Sequence, residues 1–256
     1  MQYSRDQTLS VEAAQGIAAQ FNCSLRNIER IALKALIIPA RFKRNSLSCQ
    51  QQLRLSQSRV AIIGCGGLGG RTAELLARLG IGHLILTDPD SFSESNLNRQ
   101  IFCTTRTLGC NKVEVLAEEL GKINPALQFT TYINLFTADS LASVDIVVDG
   151  LDSPEARREL SSLCQKHNIP LVHGAVKEWY GQAAVEKAPS TLIHTLYPDN
   201  RQPSQHPPRV LPMTVALIAS IQASETCKYL LDLKSPLKQN FLQTDLLRQE
   251  YETIPL

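Results

Sequence analysis

Residues 59–90 read RVAIIGCGGLGGRTAELLARLGIGHLILTDPD. The apolar run Val60–Ile63 closes on Gly64 and a glycine cluster, the pattern of a strand buried on both faces of a parallel sheet. Gly64, Gly66, Gly67 and Gly69 turn the chain, and Leu68, Ala73, Leu76, Ala77 and Leu79 then carry helical spacing. Gly80 and Gly82 end that helix, and His83–Thr87 reads as the next strand, closing on Asp88. The stretch is one βαβ unit with a glycine-rich turn. Such glycines let the backbone approach a phosphate chain, and the helix start offers free N–H groups and a positive dipole end. Gly64, Gly66 and Gly69 satisfy G-x-G-x-x-G, and Asp88 falls roughly 20 residues on, where a ribose-binding acid belongs. Taken alone, this fingerprint says only that a nucleotide binds, or that the glycines serve tight helix–strand packing.

Upstream, Ser10–Phe21 carries Val11, Ala14, Ile17, Ala18 and Phe21 at helical spacing behind a Ser cap. After Asn22-Cys23-Ser24 a second stripe follows: Leu25, Ile28, Ile31, Ala32, Ala35 and Leu36. Two short helices and a tight turn can read DNA, but the second offers only Arg26, Arg30 and Lys34 as basic groups. The expectation for residues 1–38 is a small helical appendage that docks or stabilises a dimer, with residues 39–256 forming the main domain. Arg41-Phe42-Lys43-Arg44-Asn45 reads as a solvated basic linker on composition, leading into a Gln-rich helix over Ser48–Ser56.

Downstream, Ser95-Asn96-Leu97-Asn98-Arg99-Gln100 follows the second strand, at the edge of the sheet where ligands sit. An Arg there supplies a planar fork of donors for charged oxygens. Lys112 opens a helix, a position where the dipole disfavours a cation unless an anion is nearby. Gln128–Ile133, Val144–Asp149 and Leu171–Ala175 read as further strands, Trp179–Glu186 and Thr191–Leu196 as hairpin-like strands. In Asp149-Gly150-Leu151-Asp152-Ser153 a carboxylate can hold Mg²⁺ against phosphates, while Asp152 or Ser153 before Pro154 can cap a helix. Tyr197–Pro212 holds five prolines and no apolar period, so it reads as an extended surface segment. A long helix over Met213–Leu231 and closing strands at Asn240–Asp245 and Tyr251–Ile254 complete the pass.

The 256 residues, 43% hydrophobic and 20% charged, suit one large soluble domain with a small appendage. A net charge of +2 favours neither nucleic acid nor a membrane surface. The start MQYSRDQ is not a secretory signal, and the apolar run Val210–Ile221 is short and broken by Pro212. Seven single cysteines, with no C-x-x-C pair, indicate neither a zinc ribbon nor a disulfide framework. The cytoplasm is the expected compartment.

With these residues placed, the chain resembles the ubiquitin-activating-like adenylating enzymes, the ThiF/MoeB/HesA family, from about Pro39 to its C-terminus. GCGGLG at 64–69 has the family's doubled glycine, NLNRQ at 96–100 matches N-L-x-R-Q, and DGLDSPEAR at 149–157 is similar to D-x-x-D-N-x-x-x-R. RFKRN at 41–45 is similar to R-Y-x-R-Q, whose second Arg reaches the partner subunit's nucleotide. The resemblance implies a Rossmann-like, doubly wound, mostly parallel sheet with an antiparallel extension. It implies ATP-dependent adenylation of the C-terminal glycine carboxylate of a ubiquitin-like sulfur carrier ending in Gly-Gly, of the thiamine or molybdenum/tungsten cofactor type. Asp88 would hold the ribose, and Gly66 and Gly67 admit the phosphates. Arg99, Lys112 and Arg44 (the last in trans across a homodimer) would neutralise them, and Asp152 would bind Mg²⁺. Gly64, Gly69, Asn96 and Ser153 complete the expected nucleotide-binding set. Tyr197–Pro212 would cross over the carrier's tail.

Three departures stand out. Thr195 occupies a usual zinc-ligand Cys position in IHTLYP and the chain ends near where a second pair would come, so no zinc is expected. Ser153 replaces the usual Asn, and Tyr197–Pro212 contains no cysteine. Cys110 stands near a helix start and Lys112, but packing as a small apolar residue is expected of it and of Cys65, Cys103, Cys164 and Cys227. A thiol-free reaction stopping at the acyl-adenylate follows. A tRNA-borne carboxylate is an alternative substrate. An NAD-dependent oxidoreductase would use Asp88 but leave Arg99, Lys112, Asp152 and Arg44 idle; a non-catalytic nucleotide scaffold would not need them.

Overall fold

The structure, a computed structural model, describes residues 7–199, 209–238 and 240–255. In chain order the elements are β1 (Thr8–Leu9), α1 (Val11–Gln20), α2 (Leu25–Lys34), β2 (Ile38–Pro39) and α3 (Cys49–Gln57). Then come β3 (Arg59–Ile63), α4 (Gly67–Leu79), β4 (His83–Thr87), α5 (Lys112–Ile123), β5 (Gln128–Tyr132), β6 (Ile146–Asp149) and α6 (Pro154–Lys166). β7 (Leu171–Lys177), β8 (Tyr180–Glu186), α7 (Leu192–Leu196), α8 (Pro212–Leu230), β9 (Asn240–Asp245) and β10 (Glu250–Pro255) complete the chain.

β3 to β10 form one eight-stranded sheet in the order β10-β9-β8-β7-β6-β3-β4-β5. From β5 to β7 the pairs are parallel; from β7 to β10 they are antiparallel. This is the expected doubly wound sheet with its antiparallel extension. Alternation along each strand splits it between two cores. Val60, Ile62, Leu84, Leu86, Ile146 and Val148 face the core formed with α4, α5 and α8. Ala61, Ile63, Ile85 and Val147 face the other, with Leu160 and Cys164 of α6 and Ile193 of α7. The strand order reverses between β3 and β6, which opens a crevice at their C-terminal ends. Ile63 is in register with Thr87 on one side and Asp149 on the other, so Gly64, Asp88 and Gly150 emerge level with one another.

Local signals set the helix boundaries. The side chains of Ser10, Ser24 and Ser48 accept N–H bonds at the starts of α1, α2 and α3, Asn111 at α5 and Ser153 at α6. Gly80 closes α4 at φ 99°, a left-handed position suited to glycine. The reading of Thr191–Leu196 as a strand is corrected: Leu192–Leu196 is a short helix. Leu192, Ile193 and Leu196 are spaced for one helical face rather than alternating. Ser190 Oγ and a Glu186 carboxylate oxygen take the N–H groups of Leu192 and Ile193, both at 3.2 Å.

Of the N-terminal helices, α2 packs against α3 and α1 against α2. Arg26 and Arg30 donate to the Ser56 carbonyl at 3.3 and 2.5 Å, at the negative end of α3, and Arg26 also bonds the Gln128 side chain. Two of the three basic groups that could have read DNA are thus turned inward. The 41–45 segment is likewise no plain solvated linker: Arg41 forms a fork with Glu29 at 2.5 and 2.6 Å and reaches Asn124 at 2.8 Å, and Phe42 is buried. Arg44 stays exposed. Among the described residues no helix is long and apolar enough to cross a membrane. The expectation for Tyr197–Pro212 falls largely on residues 200–208, outside those described.

Candidate active site

The crevice between β3 and β6 is a cleft of about 390 Å³. Gly64, Gly66, Gly67, Asp88, Arg99, Lys112, Asp152 and Ser153 all line it. Gly69, Asn96 and Arg44 are not among its lining residues.

The glycines divide by what a side chain would meet. A Cβ on Gly69 would sit 1.8 Å from the Gly64 carbonyl, and one on Gly150 2.2 Å from the same oxygen. Gly64, at φ 86°, Gly69 and Gly150 therefore allow the turns after β3 and β6 to touch backbone to backbone. At Gly66 the nearest atom would be 3.4 Å away, the Gln100 amide, and the glycine borders open cleft. At Gly67 the neighbours would be Val215 at 3.2 Å and Arg99 at 3.6 Å. Behind Gly66 the first turn of α4 directs its N–H groups and dipole toward the cleft.

Asp88 closes the β4 side. Its carboxylate accepts from the Cys65 N–H at 2.7 Å and the Asp90 N–H at 2.8 Å. Burial raises its pKa, against the pull of those N–H bonds and of Lys112. Lys112 is buried, with its ammonium 2.8 Å from Asp90 and 3.7 Å from Asp88. The anion that a cation at the first position of α5 calls for is therefore supplied first by the chain's own carboxylates. Arg99 is held by the Ser95 carbonyl and the Asn98 side chain, both at 2.9 Å. Asn96 shapes that turn: its side chain accepts from the Ser93 N–H at 3.0 Å, and its carbonyl from the N–H groups of Arg99 and Gln100.

On the β6 side Asp152 is exposed on the cleft rim, while Ser153 caps α6 through the Ala156 N–H at 3.2 Å. Asp149 is buried. Burial opposes its ionisation, but Arg157 and a 2.7 Å hydrogen bond from His173 outweigh that and hold its pKa below the usual range. Burial holds the His173 pKa down in spite of Asp149, so the imidazole is neutral near pH 7.

Sequence reasoning passed over Gln100, Arg157 and His173 as site residues. Gln100 and Arg157 line the cleft, and each has a buried polar atom, Oε1 and Nε, with no hydrogen-bond partner among the described residues, although Arg157 Nε lies 3.9 Å from Asp149. Both lie inside the quoted NLNRQ and DGLDSPEAR stretches, which was the available signal. His173, in the apolar run LVHGA, gave none. Among the described residues no cysteine lines the cleft. Burial raises the thiol pKa of Cys65, Cys103, Cys164 (to about 12) and Cys227. Cys110 is exposed, against the expectation that it packs in the interior. Among the described residues no group of three or more His, Cys, Asp or Glu is placed to hold a metal by itself.

Residues 40–256 match the ThiF family. The chain belongs to that family. Among its ThiF-type relatives, the SAMP-activating enzyme E1 of Haloferax volcanii is 32% identical over 80% of this chain and 78% of its own. The sulfur carrier protein ThiS adenylyltransferase of Escherichia coli is 32% identical over 75% and 80%, and the molybdopterin-synthase adenylyltransferase of the same organism 31% identical over 80% and 86%. The enzyme class expected from the motifs, an adenylyltransferase, is the one the two Escherichia coli relatives carry in their names. The crystal structure of E. coli MccB with ATP superposes with a TM-score of 0.71 over 94% of this chain and 82% of that one, at 21% identity. At that identity the likeness speaks for the fold.

Proposed function

We propose that this ThiF-family chain adenylates the C-terminal glycine carboxylate of a ubiquitin-like sulfur carrier ending in Gly-Gly, of the thiamine or molybdenum/tungsten cofactor type. The observation that carries the reading is the set of groups around the opening at Gly66 and Gly67: Arg99 and Lys112 on one side, Asp152 on the other. A glycine with open space before it, a helix N-terminus and two cations fit a polyphosphate. Asp88 keeps a spare lone pair on each oxygen for the ribose hydroxyls. Asp152, an exposed carboxylate on the rim, fits one of the few protein ligands that Mg²⁺ takes when phosphates supply others. When bound there, Mg²⁺ would neutralise charge on the phosphate oxygens.

A carrier carboxylate oxygen attacks the α-phosphorus of ATP. The new O–P bond forms as the bond from the α-phosphorus to the oxygen bridging to the β-phosphorus breaks, and pyrophosphate leaves with that electron pair. No proton moves, so the chain's task is to align the carboxylate and offset charge. Raised thiol pKa values and the absence of cysteine from the cleft lining support a reaction that ends at the acyl-adenylate. We further propose a cytoplasmic homodimer, free of structural zinc, in which exposed Arg44 serves the partner's cleft.

Calorimetry with Mg–ATP and with NAD tests the reading, together with carrier-dependent exchange of pyrophosphate into ATP. Wild type should bind Mg–ATP and exchange. Asp152→Ala and Arg44→Ala proteins should each lose exchange, and mixing them should restore part of it through hybrid sites. Binding of NAD but not ATP would end the proposal.

A further inference from the structure

Behind the cleft lies a closed hydrogen-bonded ring. Asp149 Oδ2 is 2.7 Å from His173 Nδ1, and His173 Nε2 is 3.3 Å from the Tyr197 hydroxyl. That hydroxyl receives Arg157 Nη1 at 2.8 Å and Gln182 Nε2 at 2.7 Å. Arg157 Nη2 donates to the Leu151 carbonyl at 2.5 Å, and the Leu151 N–H donates to Asp149 Oδ1 at 3.0 Å, which closes the circuit. Asp149, Arg157, His173 and Tyr197 are all at least nine-tenths buried.

One proton arrangement serves every one of these bonds. Ionised Asp149 accepts from Nδ1–H of a neutral His173, Nε2 accepts the Tyr197 O–H, and the Tyr197 oxygen takes the Arg157 and Gln182 donors. This tautomer follows from the network. The circuit joins the ends of β6 and α7, β7, β8 and α6, and it holds the backbone of Leu151 on both sides of its Cα, through the N–H and through the C=O that leads into Asp152. The next residue is Asp152.

We infer that His173 and Tyr197 are positioning residues that aim the Asp152 carboxylate, acting through Arg157, Asp149 and the Leu151 backbone. The inference rests on the adenylation reading, which gives Asp152 its metal. Partners behind a metal ligand set its orientation, and losing them typically weakens metal binding by about 10- to 100-fold.

Two variants test it. Tyr197→Phe removes only the hydroxyl. His173→Asn keeps a donor where Nδ1 stands and drops the Nε2 acceptor. The readouts are amide hydrogen exchange at Leu151 and the Mg²⁺ concentration that half-saturates ATP binding in calorimetry. Both variants should exchange the Leu151 amide faster and need about tenfold more Mg²⁺. ATP binding without metal should be unchanged. Unaltered exchange at Leu151 in Tyr197→Phe would overturn the ring's hold on that backbone. Faster exchange with an unchanged Mg²⁺ requirement would reduce the ring to a stabilising role and overturn the inference. Wild-type protein that fails to bind Mg–ATP would instead refute the adenylation reading, and with it the metal role, while exchange at Leu151 still decided the ring.

Discussion

β4 and β6 flank β3 on either side and each meets an aspartate at its end, Asp88 just past β4 and Asp149 as the last residue of β6. The two are built in opposite ways. Asp88 receives backbone N–H groups, borders the cleft, and has a pKa that burial raises. Asp149 receives His173, lies near Arg157, and has its pKa lowered in spite of full burial. One strand end sets its aspartate on the cleft; the other keeps it in the scaffold and presents a different carboxylate to the cleft three residues later, Asp152. Residue type and place in a βαβ unit do not decide the role. The partners brought by neighbouring strands do.

The largest expected effect separates the two aspartates by stability. Asp149→Ala strands a buried guanidinium, a loss of about 3–5 kcal/mol. For a domain of this size each kcal/mol lowers the thermal midpoint by roughly 2–4 °C. Asp88→Ala should cost far less stability and instead weaken nucleotide binding. Calorimetric unfolding of both decides it, and equal losses would break the comparison. The glycines give the next contrast. Gly69→Ala forces a methyl against the Gly64 carbonyl where β3 and β6 meet, so overpacking by about 1–3 kcal/mol or more is expected. Gly66→Ala has room in the fold and should melt within about 1 kcal/mol of wild type, a small cap effect, yet lose affinity for ATP. A Gly66→Ala protein that binds ATP as wild type does would show that the phosphates lie elsewhere.

Much of the β3–β4 side was legible because it is local. Apolar runs, glycine spacing and Asp88 all fall within 32 residues of one βαβ unit, and period and turn chemistry speak directly at that range. The β6 side was legible only in its strand and its cap. Asp149 meets His173 because β6 and β7 lie side by side with Val148 opposite Val172, which brings the next pair level. Tyr197 arrives from α7, whose helical form was itself misread. A lone His in LVHGA carries no mark that distinguishes a satisfied core residue from a member of a network. The lysine at the start of α5 was read as a sign of an external anion, yet Asp88 and Asp90 already stand beside it. Nothing in residues 88–112 shows that the loop folds back.

The smallest expected effect, and the most direct test of the contrast, is in pH dependence. Both aspartates start from an ordinary value of 3.8. Asp149 titrates below that value in the folded chain, so its ionised form stabilises the fold above the unfolded pKa, and this is lost as pH falls through the folded value. The cost of Asp149→Asn should therefore be full at pH 7 and shrink only below about 3.8. Asp88 titrates above 3.8, so ionising it costs the folded state, and stability falls as pH rises from 3.8 through the folded value. The cost of Asp88→Asn should shrink over that higher window and stay low at pH 7. Each pH unit of separation is worth about 1.4 kcal/mol, enough to read from chemical unfolding at a series of pH values. His83 supplies a common background: burial and then Arg59 lower its pKa to about 4, so every variant that retains it loses stability between about 6.5 and 4 as the unfolded chain takes up a proton. Difference curves against wild type remove that background, and measuring Asp149→Asn against a His173→Asn parent removes the further contribution of the imidazole that Asp149 holds. Curves bending on opposite sides of 3.8 would mark Asp149 as a scaffold charge and Asp88 as a group held ready for a ligand. Curves bending on the same side would mean that both carboxylates are scaffold, and the ribose would need another partner in the cleft.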